Sequence, residues 1–185
     1  MRYRFIKDAI DYTGEQLMSH YALDSFGLAG DSIVGFIGKC DVKLKEMVDM
    51  EDLKAGKSIF SEQMLHFIIE HFDTDLEKAV LRQYLVTSII KDILGENVKS
   101  GNFRKDGTDI YDGDAKLTIS VATVSPVSTL IHVGINISSV NTPVKTKGLA
   151  DYKIDPAEFA NQVLDRYSKE VEKIQVARCK TKWVD

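Results

Sequence analysis

Two neighbouring stretches carry the side chains of this chain that could do chemistry. Residues 116–124 and 129–138 are rich in β-branched residues, and in both the odd positions are mostly aliphatic. The even positions are Lys116, Thr118, Ser120 and Ala122 in the first stretch, and Leu130, His132, Gly134, Asn136 and Ser138 in the second. A cation, an imidazole, an amide and hydroxyls could together hold an anion and move a proton.

The segment 125–128 between the two stretches is short enough for a hairpin. Side chains alternate along a strand, and opposed residues of a hairpin share a face, so matching the aliphatic sides pairs even positions with even positions. We therefore expect Lys116 opposite Asn136 or Ser138, and Ser120 opposite His132 or Gly134. A solvent-exposed outer sheet face would show the same pattern, and the sequence leaves that interpretation open.

Other parts of the chain could complete a site on this face. We expect residues 64–72, His66 above all, and the turn of residues 30–32 with Asp31 to provide further walls and ligand contacts. His66, Glu70 and His71 come near a zinc-binding spacing, but on a strand His71 would point away from the other two, so we predict no metal site.

Motifs for phosphate binding and covalent catalysis are weak. Residues 55–58 (Ala-Gly-Lys-Ser) end like a phosphate-binding loop, but Glu51 stands where that motif needs its first glycine, which favours a solvated turn. The chain has no G-x-S-x-G motif, and neither Cys40 nor Cys179 has a local base, so covalent catalysis has no support.

Two helices must pack against these strands. Thr74 to Glu77 reads as a capping box, followed by apolar residues at helical spacing and by Gly95 as the expected end. A second helix begins at Asp155 and Pro156, and its apolar stripe runs from Phe159 onward. A weaker third helix is predicted over residues 13–23.

The predicted strands are residues 3–6, 32–37, 64–72, 108–111, 116–124 and 129–138. Helices and strands do not alternate strictly, and the two longest strands are consecutive. The pattern therefore indicates an α+β domain with a mixed, mainly antiparallel sheet packed by helices, in a single domain of residues 1–185. The charged stretch 41–61 is the expected mobile surface excursion.

The composition indicates the compartment and the binding partners of this protein. The 185 residues carry a formal net charge of −4, whereas nucleic acid binding needs a clustered positive field, so we do not expect nucleic acid as a principal partner. No stretch approaches 18 apolar residues, no signal-peptide core stands at the N-terminus, and two distant cysteines suit a reducing compartment. We expect a cytoplasmic protein without membrane contact that binds a small molecule, and a homodimer is a candidate assembly.

The residues around Lys116 resemble a known superfamily. The run Gly-Asp-Ala-Lys-Leu-Thr-Ile-Ser over 113–120, followed by His-Val-Gly-Ile-Asn-Ile over 132–137, is similar to the core of the biotin and lipoate protein ligases. There a lysine-hydrophobic-x-glycine strand precedes one that reads roughly Gly-Ile-Asn. The upstream order agrees, with a helix ending near residue 95 and Asp-Ile-Tyr at 109–111. The whole chain also resembles the domain-of-unknown-function family 366 of archaea and bacteria.

The resemblance implies a function for these residues. In the ligases the lysine that matches Lys116 contacts the carboxylate and phosphate of an acyl-adenylate, so Lys116 is expected to hold an anion. Ile119 replaces the glycine expected three residues later, and the phosphate loops of both ligase types are missing near residues 64–72. The cofactor is therefore open, with ATP and magnesium only weakly supported.

The preferred hypothesis is a small-molecule enzyme, a ligase or acyltransferase, that acts on an acid or an activated acyl group. Lys116 and His132 would be catalytic, the latter as proton carrier because an ordinary histidine pKa lies near neutral pH. Substrate contacts would come from Ser120, Gly134, Asn136, Ser138, His66 and Asp31. Two alternatives stay open: a non-catalytic ligand-binding module, and a protein that acts on tRNA or a modified nucleoside.

Overall fold

The computed structural model describes residues 1–56 and 59–184, and its centre is a five-stranded mixed sheet. The strands are β1 (Arg2–Phe5), β2 (Ser32–Val42), β3 (Ile59–His71), β7 (Thr118–Val124) and β8 (Thr129–Asn136). Their order is β1-β2-β3-β8-β7, with β1 parallel to β2 and the other pairs antiparallel. A second sheet of three short antiparallel strands lies beside it, formed by β4 (Phe103–Asp106), β5 (Asp109–Asp112) and β6 (Ala115–Lys116).

Two long helices cover one face of the main sheet. These are α3 (Leu76–Asn97) and α4 (Pro156–Cys179), and their apolar sides pack against odd-numbered residues of β2, β3 and β8. The aliphatic and aromatic core between the helices and the sheet includes Leu65, Phe67, Val133, Ile135 and Tyr167. This arrangement confirms the predicted α+β class with helices packed on a mixed sheet.

The opposite face of the sheet is also buried. It carries the even-numbered residues of β2, β3 and β8, which the chain between β1 and β2 covers. That segment runs along β2, with the Tyr12 amide bonded to the Lys39 carbonyl, and it includes the short helix α1 (Tyr21–Phe26). The face with polar residues is therefore covered by protein and is not an open outer surface.

The helix predictions need three corrections. Asp75, not Thr74, caps α3 by accepting a hydrogen bond from the Lys78 amide at 3.0 Å, and α3 continues past Gly95. The predicted helix over residues 13–23 is wrong except for its last three residues, which belong to α1, because Gly14 and His20 adopt left-handed backbone angles before it. The start of α4 is confirmed, with the Asp155 side chain accepting from the Glu158 amide at 2.8 Å.

The predicted even-with-even register of the hairpin is wrong. Thr118 pairs with Ile135 and Ser120 with Val133, so even residues of β7 share a face with odd residues of β8. The cause is an interruption between β6 and β7, where Leu117 and Thr118 are both fully buried. An extra residue on one strand reverses which face the following side chains occupy. Lys116 therefore lies on the same face as Asn136, as predicted, whereas Ser120 lies on the face that packs against α3.

The charged segment between β2 and β3 is not an irregular excursion. Its first and last residues belong to those strands, and the part between contains a 3₁₀ turn (Leu44–Glu46) and the helix α2 (Met50–Ala55). Lys57 and Ser58 of the phosphate-loop-like motif lie outside the described residues. In the described part of the chain, the helices are too short or too polar to cross a membrane.

Candidate functional site

Two adjoining cavities open on the face that carries the even residues of β8. The smaller cavity has a volume of about 220 Å³ and reaches Tyr12 and His132. The larger cavity has a volume of about 650 Å³ and reaches Asn136. Their shared walls are formed by Asp52, Ile59, Lys116 and Ile119. Any ligand that spans both cavities must therefore pass Lys116.

Lys116 is fixed at this junction by an ion pair. Its Nζ lies 2.6 Å from Oδ2 of Asp109 on β5, and both side chains are about one-quarter exposed. Its backbone is held on the other side by the segment that follows β8, since the Lys116 amide bonds to the Lys145 carbonyl at 3.0 Å. Burial raises the pKa of the Asp109 carboxyl, and the hydrogen bond from Lys116 opposes that rise. An ammonium has three donors, so Asp109 leaves Lys116 with donors for a ligand.

Two buried histidines form the floor beneath the smaller cavity. His66 of β3 and His132 of β8 contact each other, with His66 Nδ1 and His132 Nε2 3.1 Å apart. The Tyr12 ring stacks on His132 with a centroid distance of 3.8 Å. His132 contributes to the wall of the cavity, whereas the fully buried His66 lies behind it and its Nε2 has no hydrogen-bond partner in the described residues.

Burial changes the chemistry that these histidines can do. It lowers the pKa of His66 to about 3, and it lowers the pKa of His132 well below the usual value, with the neighbouring His66 adding to the effect. The expectation that His132 has a pKa near neutral pH is therefore wrong. At neutral pH both rings are uncharged and His132 is suited to hydrogen bonding, not to carrying a proton between solvent and substrate.

Asn136 and Gly134 lie on the side of the larger cavity. Asn136 is almost completely buried and its side chain lines that cavity. Gly134 lines neither cavity, because the Met64 side chain lies across it where a Cβ atom would stand. Met64, which also lines the larger cavity, therefore separates Gly134 from any ligand in the observed arrangement.

Three residues from the predicted site are placed elsewhere by their backbone. Ser120 accepts a hydrogen bond from Gln83 Nε2 of α3 at 2.8 Å, so its hydroxyl faces the helix although the residue borders the smaller cavity. Ser138 lies beyond the end of β8 and accepts from the Val140 amide in a turn. Asp31 precedes β2 and lies seven residues before Gly38, which is level with Asn136, so about 23 Å separates them along the strand at ~3.3 Å per residue.

Asp31 belongs to a separate cluster, in which His71 is buried and Asp31 is partly exposed. Its carboxylate accepts from His71 Nδ1 at 3.0 Å and from the Phe72 amide at 2.9 Å, while His71 Nε2 lies 3.0 Å from the Tyr167 hydroxyl. The hydrogen bond from His71 is the main cause that lowers the pKa of Asp31 to about 2. These contacts connect β2, β3 and α4, which is a structural function.

The sequence reasoning missed the residues that close the smaller cavity. Tyr12 lies just before the predicted third helix and in no predicted element, and Asp109 drew attention only for its place before the lysine. The segment 43–56 contributes Met47, Val48 and several carboxylates to the wall, although its charge suggested a free surface. In the described ranges 1–56 and 59–184, no three histidine, cysteine, aspartate or glutamate side chains come together as a metal site.

Two proteins without an assigned function are similar to this chain over most of its length. An uncharacterised protein of Methanocaldococcus jannaschii is 37% identical over 179 residues, which cover 92% of this chain and 80% of the relative. A protein of unknown function from Pyrococcus horikoshi is 38% identical, with a TM-score of 0.92 over 99% of this chain and all of that one.

More distant structures share the fold at low identity. A biotin protein ligase variant from Aquifex aeolicus in complex with biotin has a TM-score of 0.61 at 17% identity, over 94% of this chain and 71% of the ligase. A candidate lipoate protein ligase from T. acidophilum with bound lipoic acid has a TM-score of 0.63 at 12% identity, over 93% of this chain and 86% of that one. The sequence profile of the domain of unknown function DUF366 matches residues 1–182. With this profile and the relative from Methanocaldococcus jannaschii, the chain belongs to the DUF366 family and has a biotin and lipoate ligase-like fold.

Proposed function

We propose that this protein binds a small carboxylic acid, or an activated acyl derivative of one, across the two cavities and acts on it as an acyl-transferring enzyme. The position of Lys116 at the junction of the cavities carries this proposal. An ammonium that is oriented by one carboxylate has two further N–H donors and is suited to hold a carboxylate or an acyl phosphate. It would also stabilise the negative charge that develops on a carbonyl oxygen during acyl transfer.

The surroundings of Lys116 support a small-molecule site. The larger cavity has the size of ordinary ligand pockets and mixed walls, with Phe60, Tyr111 and Val144 beside Asn136. The solved ligase-like structures hold biotin or lipoic acid in proteins of the same fold. For this chain, those ligands give the class of molecule to test, which is a small acid with an apolar body.

The test compares two lysines in similar ion pairs. Lys147 lies 2.6 Å from Asp112, as Lys116 does from Asp109, but Lys147 lines neither cavity. Binding of heptanoate is followed by amide chemical shifts in wild type, Lys116→Ala and Lys147→Ala. We expect Lys116→Ala to weaken binding about tenfold or more, because a charge-assisted hydrogen bond of ~1.5–3 kcal/mol is lost. Unchanged binding in Lys116→Ala, or an equal loss in Lys147→Ala, would contradict the proposal.

A non-catalytic binding module is the second candidate, and two observations favour it. The floor histidines are neutral, so no general base of ordinary pKa stands at His132. The smaller cavity also carries carboxylates, which disfavour a triphosphate. If the protein is a binding module, ATP with magnesium should leave the free energy of unfolding unchanged. A ligand at a hundred times its Kd should raise that free energy by about 2.7 kcal/mol. Thermal unfolding with ATP and magnesium, combined with an assay for pyrophosphate release from ATP and heptanoate, separates the candidates.

A further inference from the structure

The smaller cavity has an excess of negative charge. Five of its lining residues carry carboxylates, namely Glu46, Asp49, Glu51, Asp52 and Asp109, and Lys116 is the one lysine or arginine among its described lining residues. Three of these carboxylates are engaged. Glu46 pairs with Lys45 at 3.0 Å, Asp49 caps α2, and Asp109 binds Lys116. Within residues 1–56 and 59–184, neither the exposed Glu51 nor the half-buried Asp52, which both line the cavity, has an ion-pair partner.

His132 provides an independent observation at the same cavity. The side chain is 2% exposed, and its Nε2 is engaged with His66 Nδ1. In the described part of the chain its Nδ1 has no hydrogen-bond partner, and the residue lines the smaller cavity. In a neutral imidazole whose Nε2 is engaged, Nδ1 is the nitrogen left to bond a group that enters the cavity.

The dimensions of the smaller cavity limit the size of the ligand group that it can hold. A volume of about 220 Å³ accommodates a short chain with a polar end. The walls include the apolar Leu17, Val42 and Ile119, which suit the methylene groups of such a chain.

We propose that the smaller cavity binds a protonated amino group, so that the ligand is an acid with an ammonium group at its other end. Glu51 and Asp52 supply the opposite charge, and His132 Nδ1 accepts one of the ammonium hydrogen bonds. The carboxyl end then lies at Lys116, and this half of the inference rests on the proposed function. Binding selects the tautomer in which His132 Nε2 donates to His66 Nδ1, which leaves the Nδ1 lone pair to the ligand.

The experiment compares probes that differ at one end. In 6-aminohexanoate an ammonium replaces the terminal methyl of heptanoate, and hexylamine has the ammonium without the carboxylate. Amide chemical shifts give the Kd of each probe for the wild type and for the double variant Glu51→Gln/Asp52→Asn. The control variant, Glu77→Gln/Asp92→Asn, makes the same charge change on the exposed side of α3.

We expect 6-aminohexanoate to bind the wild type about tenfold more tightly than heptanoate, the ratio that corresponds to about 1.4 kcal/mol. The ratio should fall to about one in Glu51→Gln/Asp52→Asn and stay unchanged in the control. Long-range ¹H–¹⁵N spectra of the histidine rings should show His132 in the Nε2–H tautomer with 6-aminohexanoate bound. A substitution that only perturbs the fold would change the binding of heptanoate as strongly.

The outcomes separate this inference from the proposed function. If heptanoate binds at least as tightly as 6-aminohexanoate, and Lys116→Ala abolishes both, the ammonium site is wrong and the proposed function stands. If both amine probes depend on Glu51 and Asp52 but not on Lys116, the ammonium site stands and the carboxyl site is wrong. If none of the probes shifts the cavity resonances at millimolar concentrations, both are wrong.

Discussion

At the scale of single residues, three histidines dominate the response of this protein to acid. His66, His71 and His132 are all buried, and burial is the main cause that lowers the pKa of each below its ordinary value. The unfolded chain binds a proton at each of these positions below about pH 6.5, while in the folded chain burial disfavours that proton. Folding must therefore release protons as the pH falls, which weakens the folded state.

The predicted consequence is a loss of stability between pH 6.5 and 5. The free energy of unfolding should fall by about 3 kcal/mol from His66 and His132 alone, since a histidine kept neutral costs up to about 1.4 kcal/mol per pH unit. The carboxylate of Asp31, with a pKa of about 2, contributes only below about pH 4 and does not affect this window. Urea unfolding at pH 7, 6 and 5 measures the effect, and a constant free energy of unfolding over this range would contradict it.

Ser120 gives a second prediction at this scale, because its position depends on the register of β7. Its hydroxyl accepts from Gln83 at 2.8 Å on the helix side. Ser120→Ala should leave the Kd of heptanoate unchanged and lower the free energy of unfolding by about 1 kcal/mol, since it removes a partner of a buried amide. Asn136→Ala, at a residue that lines the larger cavity, should instead change the Kd. A larger effect on binding from Ser120→Ala would favour the even-with-even register.

At the scale of elements, the atoms packed against a glycine decide whether alanine can replace it. A Cβ atom on Gly38 of β2 would collide with the Ile10 carbonyl of the segment that carries Tyr12. That segment is held by backbone hydrogen bonds from Ile10 to Ile37 at 3.0 Å and from Tyr12 to Lys39 at 2.8 Å. Relief of the collision therefore requires these bonds to lengthen or break.

Gly38→Ala should accordingly lower the free energy of unfolding by about 3 kcal/mol. Gly134→Ala is the matched control, because its added Cβ meets first the Met64 thioether, the flexible end of a side chain. That variant should cost about 1 kcal/mol and narrow the larger cavity, which Met64 lines. Chemical denaturation of both variants tests the difference. Equal losses would mean that the Tyr12 segment moves as easily as Met64 does.

The same elements show what the sequence could predict. Helix α4 and most of α3 follow from caps and apolar spacing, which are local signals. The fold class and the place of Lys116 also followed from pattern and resemblance. The register of β7 did not, because an interruption at Leu117 depends on contacts with β5 and on the Asn136 amide, which bonds to the Leu117 carbonyl. Likewise, nothing local in residues 43–56 shows that they close a cavity.

At the scale of the whole molecule, the candidate site lies between the central sheet and a segment that makes few buried contacts, which forms the opposite wall. The floor consists of β8 and the buried part of β3, with the half-buried β7 beside them, whereas the wall is the segment 43–56 with the short helix α2. Several apolar residues of this wall are exposed, among them Leu44, Val48, Met50 and Leu53. Few buried contacts mean a low free energy of local opening, which is common for segments that admit a ligand.

The wall should therefore open far more often than the long helices. We expect the amides of α2 to exchange with solvent about a hundredfold faster than those in the middle of α3, since local opening of a segment with few buried contacts costs several kcal/mol less than opening the core. Addition of 6-aminohexanoate should slow exchange in α2 and leave α3 unchanged, because binding holds the wall against the floor. Hydrogen exchange followed by mass spectrometry at neutral pH measures both effects. If the amides of α2 exchange as slowly as those of α3 without ligand, the wall is part of the rigid core, and entry to the smaller cavity must occur from the larger cavity past Lys116.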